Sequence, residues 1–178
     1  MKKSVYIATS LDGFIARKNG GVDWLSNIDK VDANEDYGFA EFFGSVSCLV
    51  MGRNSFEKVL SFGGWPYGGK RVVVMTKSLS SLPEDTPGEV ELFSGSPEAL
   101  VEKLKNEGEE HLYIDGGLLI QSFLRAGLID EIVLTWIPIL IGEGLPLFGP
   151  LDEDIKLEHT ETKTFDNGLV QSKYRTVL

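Results

Sequence analysis

Two stretches, Leu49-Val50-Met51-Gly52-Arg53-Asn54-Ser55 and Tyr113-Ile114-Asp115-Gly116-Gly117, share one pattern. Each is a short apolar run that meets glycine and passes into residues of helical character. A strand apolar on both faces belongs inside a parallel sheet. Glycine at its carboxyl end lets backbone N–H groups approach a ligand, and the following helix points its positive N-terminus at the same place. Two such junctions in one sheet would bracket a pyrophosphate. Arg53 then stands where a fixed cation is useful, and Thr76-Lys77-Ser78 closes a third strand with another cation and two hydroxyls. An extra phosphate on a ribose would suit Arg53, Lys77 and Ser78. Glycines placed for tight turns and cations placed for solubility account for the same residues at this level.

Working outward, short β-branched runs alternate with helical patterns. Strands are expected at Ser4–Thr9, Ser47–Met51, Arg71–Thr76, Val90–Phe93, His111–Ile114 and Glu131–Ile137. Helices are expected over Asp36–Phe43, Ser55–Leu60, Ser96–Asn106 and Gly117–Ala126, with Ser96-Pro97 as N-cap and first helical residue and Gly127 as a stop. Lys156–Lys163 and Leu169–Val177 flank Asp166-Asn167-Gly168, a hairpin signal. The chain is therefore expected to be α/β: a mixed, mostly parallel sheet with helices on both faces and a C-terminal antiparallel hairpin. Ser78–Glu91 reads as an internal connection, so residues 1–178 form one domain.

The net charge of −10 is unevenly spread: residues 1–80 carry +2 and residues 81–178 carry −12. That balance argues against a nucleic-acid-coating protein, which needs a broad basic face, and leaves room for a small anionic ligand in the first half. A single cysteine, Cys48, excludes an intramolecular disulfide, and with only His111 and His159 beside it no zinc site is expected. No stretch is long and apolar enough for a membrane span, and the start reads as a strand, not a leader, so a cytoplasmic protein is expected.

Two strings imitate other sites. Gly64–Lys70 has phosphate-loop spacing, but Arg71 follows where Ser or Thr is required, and a strand follows instead of a helix. Gly142-Glu143-Gly144 begins like a dinucleotide fingerprint but lacks the third glycine and the helix. His111, His159 and Cys48 read as structural or surface residues.

Val5–Ala8 followed by Asp12-Gly13-Phe14-Ile15, then Trp24, Val50–Arg53 and Ile114–Leu124, resemble the dihydrofolate reductase superfamily in order and spacing. Ser10-Leu11-Asp12-Gly13 and the run from Gly127 to Phe148 resemble, more specifically, the C-terminal reductase domain of the bacterial riboflavin-pathway deaminase–reductase. The resemblance covers about residues 4–148, and the zinc motifs of the deaminase half are absent.

The resemblance implies a dihydrofolate reductase-like fold, NADPH as hydride donor and a small heterocyclic substrate. It places Ala8 and Ile15 at the nicotinamide, and Gly52, Arg53, Asn54 and Ser55 at the pyrophosphate and 2′-phosphate. Thr76, Lys77 and Ser78 would lie near the adenosine phosphate, and Gly116, Gly117, Leu118 and Leu119 would form the second phosphate turn. Leu118 replaces an arginine and Asp115 a glycine of some dihydrofolate reductases. Trp24 would close the active-site loop beside the substrate. Counting back without gaps from Gly52, Asp36 falls where dihydrofolate reductases hold their pterin-binding carboxylate, which makes it the candidate proton partner, with Tyr37 beside it at the substrate. A simple helix cap is the other role open to Asp36. The activity implied is closest to 5-amino-6-(5-phosphoribosylamino)uracil reductase; dihydrofolate reductase proper and a non-catalytic NADPH-binding protein are the alternatives. Relatives are often dimers, and Leu134–Leu140 is the segment expected at such an interface.

Overall fold

The computed structural model describes residues 1–26 and 35–177. The strands are β1 (Lys2–Ser10), β2 (Phe14–Ala16), β3 (Cys48–Gly52), β4 (Arg71–Met75), β5 (Glu89–Phe93), β6 (His111–Asp115), β7 (Glu131–Ile137), β8 (Leu145–Pro146), β9 (Leu157–Thr164) and β10 (Val170–Thr176). The helices are α1 (Asp23–Ser26), α2 (Phe39–Ser45), α3 (Arg53–Leu60), α4 (Pro97–Asn106) and α5 (Gly117–Arg125). Eight strands form one sheet in the order β5-β4-β3-β6-β1-β7-β10-β9. Pairing is parallel from β5 through β7 and antiparallel for β10 and β9.

The apolar runs are central strands because both faces are covered. On one face α4 and α5 lay Leu100, Leu104, Ile120 and Phe123 against Val5, Val50, Leu112 and Ile114. On the other, Phe56 of α3 packs with Leu49, Met51, Val72, Val74 and Tyr113, flanked by Phe42 and Phe43 of α2. Phe56 and Phe123 are fully buried, each contributing about 1.5–3 kcal/mol in apolar burial.

Two expectations need correction. The helix expected from Asp36 begins at Phe39, because Tyr37 adopts φ 58° and Gly38 φ 84°, which breaks the helical path. The helix expected from Ser55 begins at Arg53, directly after Gly52. Of the segment Leu134–Leu140, residues 134–137 belong to β7, which is paired on both edges, while Leu140 beyond it is 69% exposed. A two-stranded sheet of β2 and β8 had no counterpart in the expected elements. With three and two residues, these strands are too short to show a period.

Candidate cofactor and substrate site

The carboxyl ends of the parallel strands converge along one edge. Met51 pairs with Asp115 across β3 and β6, which sets Gly52 level with Gly116. Gly52 pairs with Met75 across β3 and β4, so Thr76-Lys77-Ser78 starts level with Arg53. On the other side of β6 lies β1, which ends in Ala8-Thr9-Ser10. The row therefore runs from the cation-bearing end of β4, through the two glycine junctions, to Ala8.

The junctions are built for close approach. Gly116 has φ 97°, a conformation that disfavours side chains. A β-carbon at Gly117 would lie 2.7 Å from Ile15 Cδ1 and 3.2 Å from the carbonyl oxygen of Pro146. At Gly52 nothing stands within 4 Å of the same point. Neither α3 nor α5 has a side-chain cap at its N-terminus, whereas α4 is capped by the Ser96 hydroxyl, which accepts from Ala99 N–H at 3.3 Å. First-turn N–H groups of α3 and α5 thus have no partner from a capping side chain, and they meet at one place.

Of the expected cofactor residues, Arg53 is half-exposed and, among the described residues, holds only a 3.8 Å pair with Glu57 and a 3.4 Å bond to Asn54. Exposed pairs of this kind are weak, which leaves the guanidinium recruitable. Thr76 uses its hydroxyl to accept from Ser78 N–H and Leu79 N–H, closing the turn that presents Lys77 and Ser78 to solvent. Leu118 is 74% exposed, while the Leu119 side chain is buried in the core, so only its backbone faces the turn. Ile15 packs under α5, and Ala8 packs with Trp24 on the opposite sheet face.

The substrate-side expectations divide differently. Asp36 is exposed, and its carboxylate accepts from Gly38 N–H and Ala40 N–H, both at 2.9 Å. Those bonds hold its pKa below the ordinary aspartate value, so it caps the start of α2 and is a poor proton donor. Trp24 is 1% exposed, packed with Ile137 and Leu169; its Nε1 is buried without a partner among the described residues. It serves as core beneath the site, not as an open wall. Tyr37 is held by its backbone: its carbonyl accepts from Tyr6 Oη at 2.6 Å and Gln171 Nε2 at 3.2 Å, and its hydroxyl accepts from Asn167 Nδ2 at 2.8 Å.

Sequence reasoning passed over Asp115 as a proton partner. It shares a sheet face with Tyr113 and Met51, next to the first turn of α3. Part of the residue reaches solvent, but its carboxyl group is enclosed. Burial pushes its pKa above the ordinary aspartate value, while the Ser55 hydroxyl, the Gly116 N–H and the Tyr113 hydroxyl pull the other way. Phe39 and Phe43 stack at 5.4 Å, with Tyr67 6.1 Å from Phe43 and Tyr113 6.4 Å from Phe39. The available signal was an acidic residue directly before Gly-Gly at a strand end; its contact with Ser55, far away in sequence, was not readable there. A cavity of about 290 Å³ runs from Lys2, His111 and Glu131 at the amino-terminal strand ends to Tyr6, Tyr37 and Gln171, so it includes one of the expected substrate residues.

His111 is buried, with Nε2 2.8 Å from the Ser4 hydroxyl and Nδ1 3.2 Å from the Ser45 carbonyl oxygen. Cys48 is buried and its thiol is pushed up to about 12, chiefly by desolvation. Both are structural, as their sequence contexts indicated. No group of metal-ligating side chains occurs among the described residues, and no helix there is long and apolar enough to cross a membrane.

A three-layer mixed sheet of this topology, with glycine junctions on neighbouring parallel strands, defines a dihydrofolate reductase-like domain. Residues 4–171 match the model of the RibD C-terminal domain, and the chain belongs to that family of riboflavin-pathway reductase-like domains. It is similar to two uncharacterized proteins of Bacillus subtilis (strain 168). YwjB is 35% identical over 167 residues, 92% of each chain, and YyaP is 30% identical, covering 94% of this chain and 91% of its own length. A solved structure from Shewanella sp. PV-4, described as a riboflavin biosynthesis protein, superimposes with TM-score 0.94 at 40% identity over the whole of both chains. The bifunctional deaminase/5-amino-6-(5-phosphoribosylamino)uracil reductase of Thermotoga maritima shares the fold, with TM-score 0.73 at 19% identity over 99% of this chain and 56% of that one.

Proposed function

We propose that the chain is an NADPH-dependent reductase acting on an imine-like carbon of a planar N-heterocycle or its ribosyl derivative, most like 5-amino-6-(5-phosphoribosylamino)uracil reductase. One observation carries the reading: two glycine junctions on adjacent parallel strands present helix N-termini that lack side-chain caps. That donor set fits a pyrophosphate. Arg53, Lys77 and Ser78 lie to one side of it and suit a ribose phosphate; Ala8 and Ile15 lie to the other and suit an uncharged ring. The order along the edge matches that of a phosphorylated dinucleotide.

Bound there, NADPH supplies the hydride. The chain's own residues align the ring, exclude water and manage a proton. Asp115 is the group suited to that last task. Burial raises its pKa above the ordinary aspartate value, the direction that favours a proton donor, and it stands at the end of β6 directly before the Gly116 junction. Asp36, bonded to two backbone N–H groups and exposed, lacks that property. Dihydrofolate reductase proper drew its support from Asp36 and Trp24; the first is exposed and committed to two backbone N–H groups, and the second is buried, which favours the other reading.

Thermal unfolding with added NADPH tests the reading. At about 100 times its dissociation constant the cofactor stabilises the fold by about 2.7 kcal/mol, a rise of several degrees in Tm. An unchanged Tm at millimolar NADPH overturns it. NADPH oxidation across a panel of pyrimidines and pterins then separates a reductase from a protein that only binds the cofactor.

A further inference from the structure

The turn between β1 and β2 is tied to the segment after β7 through one side chain. The Asp12 carboxylate accepts from the Ser10 hydroxyl at 2.6 Å and from Gly142 N–H at 2.7 Å, and Ile141 N–H approaches it at 3.3 Å. Ser10 is fully buried, and its hydroxyl oxygen accepts from Phe14 N–H at 3.0 Å. Backbone bonds flank this knot: Leu11 N–H donates to Ile139 O at 2.8 Å, and Leu147 N–H to Gly13 O at 3.0 Å. All three groups that meet the carboxylate are donors, so the position calls for a pure acceptor. An asparagine would turn an NH₂ group toward one of them.

The knot has a consequence at the other end of the same assembly. β2 and β8 pair through Phe14 with Pro146 and Ala16 with Leu145. The two strands close so tightly that a β-carbon on Gly144 would collide with the Ala16 carbonyl oxygen. They also meet α5: Ile15 Cδ1 and the Pro146 carbonyl would lie 2.7 and 3.2 Å from a β-carbon on Gly117, and Gln121 Nε2 donates to the Pro146 carbonyl at 3.1 Å. The small sheet is a wedge between the Asp12 knot and the N-terminus of α5. Its position sets how far Ile15 reaches over the edge at which Ala8 and the glycine junctions lie.

We propose that Asp12 is a positioning residue: by fastening the β1–β2 turn to residues 141–142 it fixes the β2–β8 wedge, and hence Ile15, at the depth required by the nicotinamide end of the cofactor. This rests on the NADPH reading above. The adenosine end, beside Arg53 and Lys77, is held by elements that the knot does not touch. Asp12 therefore acts on one half of the ligand only.

Two probes separate the halves: NADPH, and 2′,5′-ADP, which carries the adenosine and its 2′-phosphate without the nicotinamide. Dissociation constants for both are measured by fluorescence titration on the wild-type chain, Asp12→Asn, Asp12→Glu and Ser10→Ala. The expected result is about tenfold weaker NADPH binding by Asp12→Asn, with 2′,5′-ADP binding within twofold of wild type. Ser10→Ala, which removes one of the three donors, moves the same way by less, and it carries the comparison if Asp12→Asn does not fold. Asp12→Glu, which keeps the acceptor, recovers part of the NADPH loss. Equal binding of NADPH by wild type, Asp12→Asn and Ser10→Ala overturns the proposal, and so does an equal loss of both probes. Wild-type protein that binds neither probe overturns the NADPH reading itself.

Discussion

The Ser55 hydroxyl oxygen stands 2.5 Å from the point that a β-carbon on Gly116 would occupy, and Gly52 N stands 3.8 Å from it. The two phosphate-type junctions are therefore in contact with each other, and the first turn of α3 closes over the turn into α5. The contact puts Ser55 beside the Asp115 carboxyl, where its hydroxyl pulls the pKa down against burial. The proposed cofactor cradle and the proposed proton partner would share this wall.

Gly116→Ala is expected to damage the fold and the site together. At φ 97° and ψ 131° the residue lies in a region that costs a side chain about 1–3 kcal/mol, and Ser55 must also give way. Urea denaturation should show a loss in that range, with NADPH protection gone. A variant of wild-type stability would remove the strain argument.

Asp115→Asn separates stability from catalysis through pH. In the folded chain the Asp115 carboxyl binds its proton more tightly than in the unfolded chain. Stability therefore falls as pH rises from the ordinary aspartate value through the raised one, and the loss is complete above it. Asparagine does not titrate, so the variant should be the more stable protein at neutral and alkaline pH, and its advantage should vanish in acid. Turnover should drop while NADPH still binds. Denaturation midpoints over a pH series, together with NADPH oxidation rates, check both halves; parallel stability profiles would refute the assignment.

Arg53→Ala tests selection between NADPH and NADH. A charge-assisted bond from this guanidinium to the 2′-phosphate is worth about 1.5–3 kcal/mol, so NADPH binding should weaken roughly 10- to 100-fold. NADH, which lacks that phosphate, should bind as before. Titration of both cofactors decides the matter, and an equal loss for the two would place Arg53 elsewhere.

Asp36→Ala should loosen the start of α2 and leave the chemistry in place. The carboxylate satisfies Gly38 N–H and Ala40 N–H, so its removal lowers Tm by a few degrees. Because its pKa is held below the ordinary value, the stabilisation is present at neutral pH and is lost as pH falls through the folded value. The pH profile of NADPH oxidation should keep its wild-type shape. A displaced profile would return Asp36 to the proton path.

Much of the frame was legible in the chain. Val72–Val74 and Leu112–Ile114 are apolar on every residue because helices cover both faces of their strands, and such runs announce themselves. Asp166-Asn167-Gly168 joins β9 and β10, with Gly168 at φ 85°, since glycine there meets the turn's demand without cost. The β2–β8 pair was not legible, because Phe14 and Pro146 meet only after five other strands have set their positions.

The sequence by itself determined the order of the elements, the two strand-to-glycine-to-helix junctions and the cations beside them, because these depend on local spacing and backbone freedom. Only the tertiary structure decided which carboxylate is desolvated and which lies in solvent. Asp36 and Asp115 have the same side chain; one accepts two N–H bonds in solvent, and the other is enclosed at the end of β6 beside Ser55 and Tyr113. Desolvation depends on what surrounds a group in space, and for Asp115 those neighbours come from three separate elements of the chain.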